Sequence, residues 1–173
     1  MKNNLVGSCG ISCGLCPRFQ SKSKSQCLGC GLDGHCSYCS IFRCSSMKRN
    51  YETCADCNEF PCPKFDKWFE GDSFVTHQKC LLNIQEIKKL GIKKFLEKQE
   101  ERKNILETIL KKYNTRKSMS FYCLTAALLP TKSLIIAMEE IENSKEENKA
   151  EVFKKKIQEL AEKENVILML RKL

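Results

Sequence analysis

The chain has 173 residues, a formal net charge of +9 and 13 cysteines, of which only Cys123 lies beyond residue 80. That length is one domain, or one domain with a small cofactor-held module. No apolar run approaches the roughly 20 residues that span a membrane, and the start MKNNLVGSCG has no apolar leader segment. Membrane insertion and export are therefore not expected.

Dense cysteine means either a disulfide framework in an oxidising compartment or thiolate ligation of metal in a reducing one. The odd cysteine total and the absence of a leader favour the second, in a soluble cytoplasmic protein with reduced thiols. Basic residues outnumber acidic ones 10 to 7 before residue 81 and 20 to 14 after it, so neither half is a concentrated basic patch. Four thiolates around a divalent ion carry a net charge of about −2, and three such sites would cancel most of the excess. Composition divides the chain into a cysteine-rich metal-binding lobe, residues 1–80, and a helical region, residues 81–173.

Along the lobe the apolar residues stand singly: Leu5, Val6, Ile11, Leu15, Phe19, Leu28, Leu32, Ile41, Phe42 and Phe60. No helical or strand period persists, and a segment this poor in apolar surface needs staples. Ser21 to Gln26, SKSKSQ, reads as a polar linker. Phe65, Trp68 and Phe69 fall at offsets i, i+3, i+4 and are expected to form the apolar seam joining the two parts.

From Lys79 the pattern turns helical, with Ile84, Ile87, Leu90, Phe95, Leu96, Ile105, Leu106, Ile109, Leu110 and Tyr113 as its apolar positions and Gly91 as a break. A further helix is expected over Met119 to Leu129, ending before Pro130. Thr131 or Ser133 would cap the next, which ends near Asn143. Ser144 with Glu147 resembles a capping box opening the last helix, and the tail NVILMLRKL suits a short strand or a last helical turn. The fold class expected is mostly α, an irregular metal-stapled cysteine-rich N-terminal lobe packed on a small C-terminal bundle of three or four helices.

The lobe cysteines fall into Cys9-x3-Cys13-x2-Cys16, Cys27-x2-Cys30, two copies of C-x2-C-x4-C and a solitary Cys80. The copies are Cys36, Cys39, Cys44 and Cys54, Cys57, Cys62. A C-x2-C pair sets two sulfurs about 3.5 to 4 Å apart on a tight turn, which suits two corners of a zinc tetrahedron or two irons of a cluster. Twelve sulfurs are enough for three sites of four. Each triplet begins like a zinc knuckle, yet Arg49 and Lys67 stand where the fourth ligand would be. Each must therefore borrow a remote sulfur, and the sites interleave. Phe42 and Phe60, equivalent in the two copies, are expected to screen the sulfurs from water.

Cys9-x3-Cys13-x2-Cys16 also has the spacing of the radical S-adenosylmethionine cluster motif, but no βα barrel pattern follows it. His35 and His77 could replace a missing sulfur, although a surface or supporting role is the better reading of each. Cys123 reads as a small buried hydrophobe on an apolar helix face.

The stretches CGISCGLCPRF, CLGC, CSIFRC, CADCNEFPCPKF and HQKCLLNIQEIKKLGIKKFLEKQEER together resemble the cysteine-rich family catalogued as domain of unknown function 3795, over residues 9 to about 102. The resemblance implies metal ligation through Cys9, Cys13, Cys16, Cys27, Cys30, Cys39, Cys44, Cys54, Cys57 and Cys62. Cys36 and Cys80 depart from the family pattern, and the family carries no established activity.

Three functions are weighed. The first is a zinc-stapled binding or adaptor module with two or three ions and a protein partner. The alternative is an iron-sulfur protein with 4Fe-4S clusters for electron transfer or redox sensing. The third is nucleic-acid binding through Arg18, Lys22, Lys24, Arg43, Lys48 and Arg49 with Phe19, Phe42 or Tyr51 for stacking; it is weakened by Asp56, Glu59, Asp66, Glu70 and Asp72 in the same lobe. The chain has no Ser/His/Asp set, H-E-x-x-H, phosphate-cradling glycine loop or G-x-G-x-x-G, so the reading leans away from an enzyme.

Overall fold

The computed structural model describes residues 3–30, 32, 36–115 and 118–172; His35 lies outside them. Among these residues the chain is mostly helical and forms no strand beyond one antiparallel bridge, Val6 with Ser12. The lobe carries short pieces: α1 (Pro17–Gln20), α2 (Ser40–Phe42) running on into a π-helical turn Arg43–Lys48, and 3-10 turns at Cys13–Leu15, Cys54–Asp56 and Pro63–Phe65. Five helices follow: α3 (Cys80–Leu90), α4 (Ile92–Tyr113), α5 (Met119–Leu128), α6 (Thr131–Glu142) and α7 (Lys149–Lys163). Among the described residues no helix is long and apolar enough to cross a membrane.

The lobe's shortage of apolar residues is made up by the helices that follow it. Cys80, Asn83, Ile84 and Ile87 are buried along one stripe of α3, at the i, i+3, i+4, i+7 spacing of an amphipathic face. Cys80, Ile84 and Ile87 pack with Val6, Ile11, Ile41, Phe65, Val75 and Phe95 into one cluster that also holds Cys9, Cys13, Cys16 and Cys54. The chain breaks at Gly91, which has a φ of 81°. Helix α4, about 33 Å long for its 22 residues, serves both halves. Phe95 near its start lies in the lobe cluster, while Leu106, Ile109 and Tyr113 lie in the core shared by α4 to α7.

That bundle core is completed by Tyr122, Cys123 and Ala126 of α5, Leu134, Ala137 and Ile141 of α6, and Phe153, Ile157 and Ala161 of α7. Tyr113 stacks on Phe153 with ring centres 4.1 Å apart. Arg102, on α4, donates from Nη1 to the carbonyls of Ala126 (2.6 Å) and Leu129 (2.8 Å) at the end of α5, where helical carbonyls lack partners and cations are favoured. Cys123 is buried as expected, and burial pushes its thiol up to about 12.

Several local expectations need correcting. Phe65, Trp68 and Phe69 lie on turns rather than along one helix, and they pack in the cluster where the lobe meets Ile84, Ile87 and Phe95 of the helical region. Phe65 stacks on Phe69, and Trp68 lies flat on His77 at 3.9 Å. The two parts also meet through Leu15, which joins the bundle core, and through Arg171. Neither Thr131 nor Ser133 caps α6, which starts directly after Pro130; the Ser133 hydroxyl donates to Glu164. Helix α7 is capped by Asn148, whose side-chain oxygen accepts from the Glu151 N–H while its amide donates to the Glu151 carboxylate. Ser144 bonds back to the Ile141 carbonyl and closes α6.

Residues 165–172 of the tail form neither strand nor helix. Asp72 and Arg171 exchange backbone contacts: the Asp72 N–H donates to the Arg171 carbonyl (2.9 Å) and the Arg171 N–H to Asp72 Oδ2 (2.8 Å). The Arg171 guanidinium pairs with Asp72 Oδ1 at 3.0 Å and donates to the Phe69 carbonyl at 2.7 Å.

Candidate functional site

Local hydrogen bonding explains the recurring C-x2-C spacing. In Cys13–Cys16, Cys36–Cys39 and Cys54–Cys57 the N–H of the second cysteine donates to the carbonyl of the first, at 3.0, 2.9 and 3.2 Å. Each pair is thus a tight turn that leaves both side chains free to point to one side. Thr53 and Asp56 brace the third turn, through Ala55 N–H to Thr53 Oγ1 and Thr53 N–H to Asp56 Oδ2. In the second pair of the series, Cys27–Cys30, the Gly29 N–H lies 3.4 Å from the Cys27 sulfur.

These turns collect the twelve lobe cysteines into two groups. Cys9, Cys13, Cys16, Cys27, Cys30, Cys36 and Cys39 line one small cavity of about 190 Å³, walled otherwise by Ile11, Phe42, Trp68, Phe74 and Val75 together with Ser8, Arg18 and Ser73. Cys80, at the start of α3, joins them through a thiol hydrogen bond to Cys9. Cys44, Cys54, Cys57 and Cys62 line a second, wider cleft of about 640 Å³ with Phe60, Tyr51, Arg43, Lys48, Arg49 and Lys64 around it. The first triplet is therefore divided: Cys36 and Cys39 face the first group, and Cys44 crosses to complete the second. Phe42 and Phe60 stand one beside each group, where the repeat predicts them.

None of the thirteen cysteines is in a disulfide. Cys36 Sγ donates to Cys30 Sγ at 2.7 Å, while Cys13 beside Cys30 and Cys80 beside Cys9 raise those two thiols. Among the described residues no three or more Cys, His, Asp or Glu side chains converge in the arrangement that holds a single metal ion. The donor chemistry fits a soft ion nonetheless, since every donor is sulfur. The hydrogen bond with Cys80, then burial, raises the Cys9 thiol well above the ordinary thiol value. Burial, with the sulfurs of Cys57, Cys62 and Cys44 behind it, pushes Cys54 up to about 12.

Two buried polar groups of the lobe have no oxygen or nitrogen partner. The Ser45 hydroxyl is buried and unpaired by nitrogen or oxygen, and the group within its reach is the Cys54 sulfur. The indole N–H of Trp68, whose ring helps wall the first cavity, is likewise buried without an acceptor. Arg49, the residue standing in the knuckle's fourth position, lies over the second group: Nη1 donates to Cys57 Sγ at 3.4 Å, and Nη2 pairs with both oxygens of Glu59 at 2.8 and 3.0 Å.

His77 has both ring nitrogens engaged. Nδ1 faces the Gly71 carbonyl at 3.0 Å and Nε2 the Ser73 hydroxyl at 3.1 Å, so the proton sits on Nδ1 and the Ser73 hydroxyl donates to Nε2. Burial lowers its basicity and keeps it neutral. It buttresses Trp68 and is not available as a ligand. Asn83, Ser45 and Trp68 had no signal in the cysteine spacing; their roles depend on contacts made across the fold.

No family model, curated protein or solved structure matches the chain. The likeness to the cysteine-rich family therefore rests on the motifs alone.

Proposed function

We propose that residues 1–80 form a zinc-stapled binding module. In it Cys44, Cys54, Cys57 and Cys62 hold one ion, and Cys9, Cys13, Cys16, Cys27, Cys30, Cys36, Cys39 and Cys80 hold the remainder. The observation that carries this reading is the sorting of twelve cysteines into sets of four and eight, with none left over and none oxidised. Four is the ligand number of a structural zinc site, and eight is twice that. Ser45 supports the second set, because a thiolate at Cys54 gives its buried hydroxyl an acceptor. Ions bound here would supply stapling energy of order 10 kcal/mol per site to a lobe whose apolar core is small. Tyr38, 93 % exposed, with Leu28 and Leu32 also outside, offers apolar surface of the kind a protein partner covers. A reducing, cytoplasmic setting is part of the reading.

A second reading, iron-sulfur ligation, is favoured by one observation: seven cysteines line a single cavity of about 190 Å³. Metal analysis of chain purified without oxygen separates the two. Zinc at about three ions per chain, with no visible absorption, is the expected result. Iron with acid-labile sulfide and a visible band would replace zinc by the second reading. No bound metal, with all thiols titratable and lobe proteolysis indifferent to chelator, would overturn both.

A further inference from the structure

We propose that the cleft between α3, α4 and the start of α6 binds a small organic carboxylate that also carries a hydrogen-bond donor, its carboxylate seated between the free edge of Arg102 and the N-terminus of α6.

The cleft, of about 500 Å³, is walled by Leu82 and Glu86 of α3, Gln99 and Arg102 of α4, and Pro130 and Thr131 at the start of α6. That volume suits a small molecule. No cysteine lines it, and its chemistry does not depend on metal in the lobe.

A guanidinium has five N–H donors. In Arg102 the two on Nη1 are spent on the carbonyls of Ala126 and Leu129, which fix the plane of the group. The Nε–Nη2 edge is left without an acceptor among the described residues, and Arg102 is in no ion pair among them. That edge is a fork that takes a carboxylate through two parallel bonds. Burial opposes the charge, so a bound anion would supply the counter-charge it lacks.

Helix α6 presents further donors. No side chain caps it, and no acidic residue stands in its first turn. Its first backbone bond runs from the Leu134 N–H to the Pro130 carbonyl. The N–H groups of Thr131, Lys132 and Ser133 therefore have no acceptor among the described residues, at the end where a helix favours negative charge. Gln99, one turn before Arg102 on the same face of α4, is 8 % exposed, and its Oε1 is buried with no donor. A hydroxyl or ammonium beside the carboxylate would supply one. Of the carboxylates in the wall, Glu86 is already paired with Lys98 at 2.6 Å, and Lys79 offsets the exposed Glu101. Leu82, 53 % exposed, gives the carbon skeleton an apolar rest.

The test is a nuclear magnetic resonance titration of the whole, isotope-labelled chain with sodium lactate, against propionate, lactamide and inorganic phosphate. Lactate is expected to shift the amide signals of Thr131, Lys132 and Ser133 and the Nε–H of Arg102 saturably. Propionate, without the hydroxyl, should bind more weakly, and neutral lactamide should leave those signals unmoved. Arg102→Gln should weaken lactate about tenfold or more, as expected for losing a charged hydrogen-bond partner. Because Arg102 also holds the end of α5, Thr131→Asp is the companion variant. An acid at the first position of α6 suits the helix, so its thermal midpoint should hold or rise while lactate binding is lost. No saturable lactate shift at these signals, shifts confined to the basic cleft around Arg43 and Lys64, or undiminished lactate affinity in both variants overturns the site. Phosphate bound more tightly than lactate at the same signals overturns the carboxylate in favour of a phosphate ligand. Equal binding of lactate and propionate overturns the donor assigned to Gln99.

Discussion

Gly10 is the point where the first cysteine loop and α3 come closest. Its φ is 84°, and a Cβ there would lie 2.4 Å from the Cys80 carbonyl oxygen and 2.8 Å from Ile84. Asn83 locks the contact, its amide donating to the Gly10 carbonyl at 2.7 Å and to Ser12 Oγ at 3.2 Å. Asn83→Ala strands a buried carbonyl and is expected to destabilise the chain by about 1–3 kcal/mol, read as a lowered urea midpoint. Gly10→Ala, forced against backbone rather than a flexible side chain, should be at least as damaging. The cysteines of this loop are legible in the sequence because their spacing is local. Asn83 is not: 73 positions separate it from Gly10, and nothing about an asparagine on a helix announces which carbonyl it will meet.

Helices α3, α4, α6 and α7 were readable because each repeats an apolar stripe at 3.6-residue spacing, α5 because it is apolar nearly all round and stops at Pro130, and Gly91 punctuates the chain where expected. Their caps were less so. Both Ser144-x-x-Glu147 and Asn148-x-x-Glu151 fit the start of α7, and the choice falls to Asn148 because Ser144 is used by the last turn of α6. Asn148→Ala should therefore cost about 1 kcal/mol, and Ser144→Ala distinctly less, in paired thermal or urea unfolding. An equal loss from both would place the cap at the wrong residue. The lobe's elements were illegible for a different reason. Turns of three to six residues carry no period, and Phe65, Trp68 and Phe69 mimic a helical face while lying on successive turns.

Over the whole molecule, an ion pair bridging 99 positions joins the tail to the lobe beside the backbone hydrogen bonds of Asp72 and Arg171. Burial alone would raise the Asp72 carboxyl, but the Arg171 guanidinium and the N–H groups of Arg171 and His77 outweigh it and hold it at about 2. That lies below the ordinary carboxylate value near 3.9, so the pair stabilises the fold above about pH 4 and loses its contribution as pH falls toward 2. Asp72→Asn should lower stability at neutral pH by about 1–2 kcal/mol, allowing for solvent at the half-exposed guanidinium. Its difference from wild type should vanish near pH 2 in acid-unfolding curves; a constant difference across that range would mean the carboxylate charge is immaterial. The sequence showed two regions dividing near residue 80. It did not show that α3 and Phe95 furnish the lobe's core, since composition counts what a segment contains and not what it borrows.

That borrowing sets an order of events during synthesis. Cys9 finds its partner sulfur on α3, and at about 5–20 residues per second the ribosome needs roughly 4–14 s to make the chain between Cys9 and Cys80. Throughout that interval the early cysteines leave the exit tunnel with neither the helix that seats them nor the asparagine that locks their loop. The newborn lobe is thus most open to oxidants, and to the wrong ion, before its own scaffold has been translated.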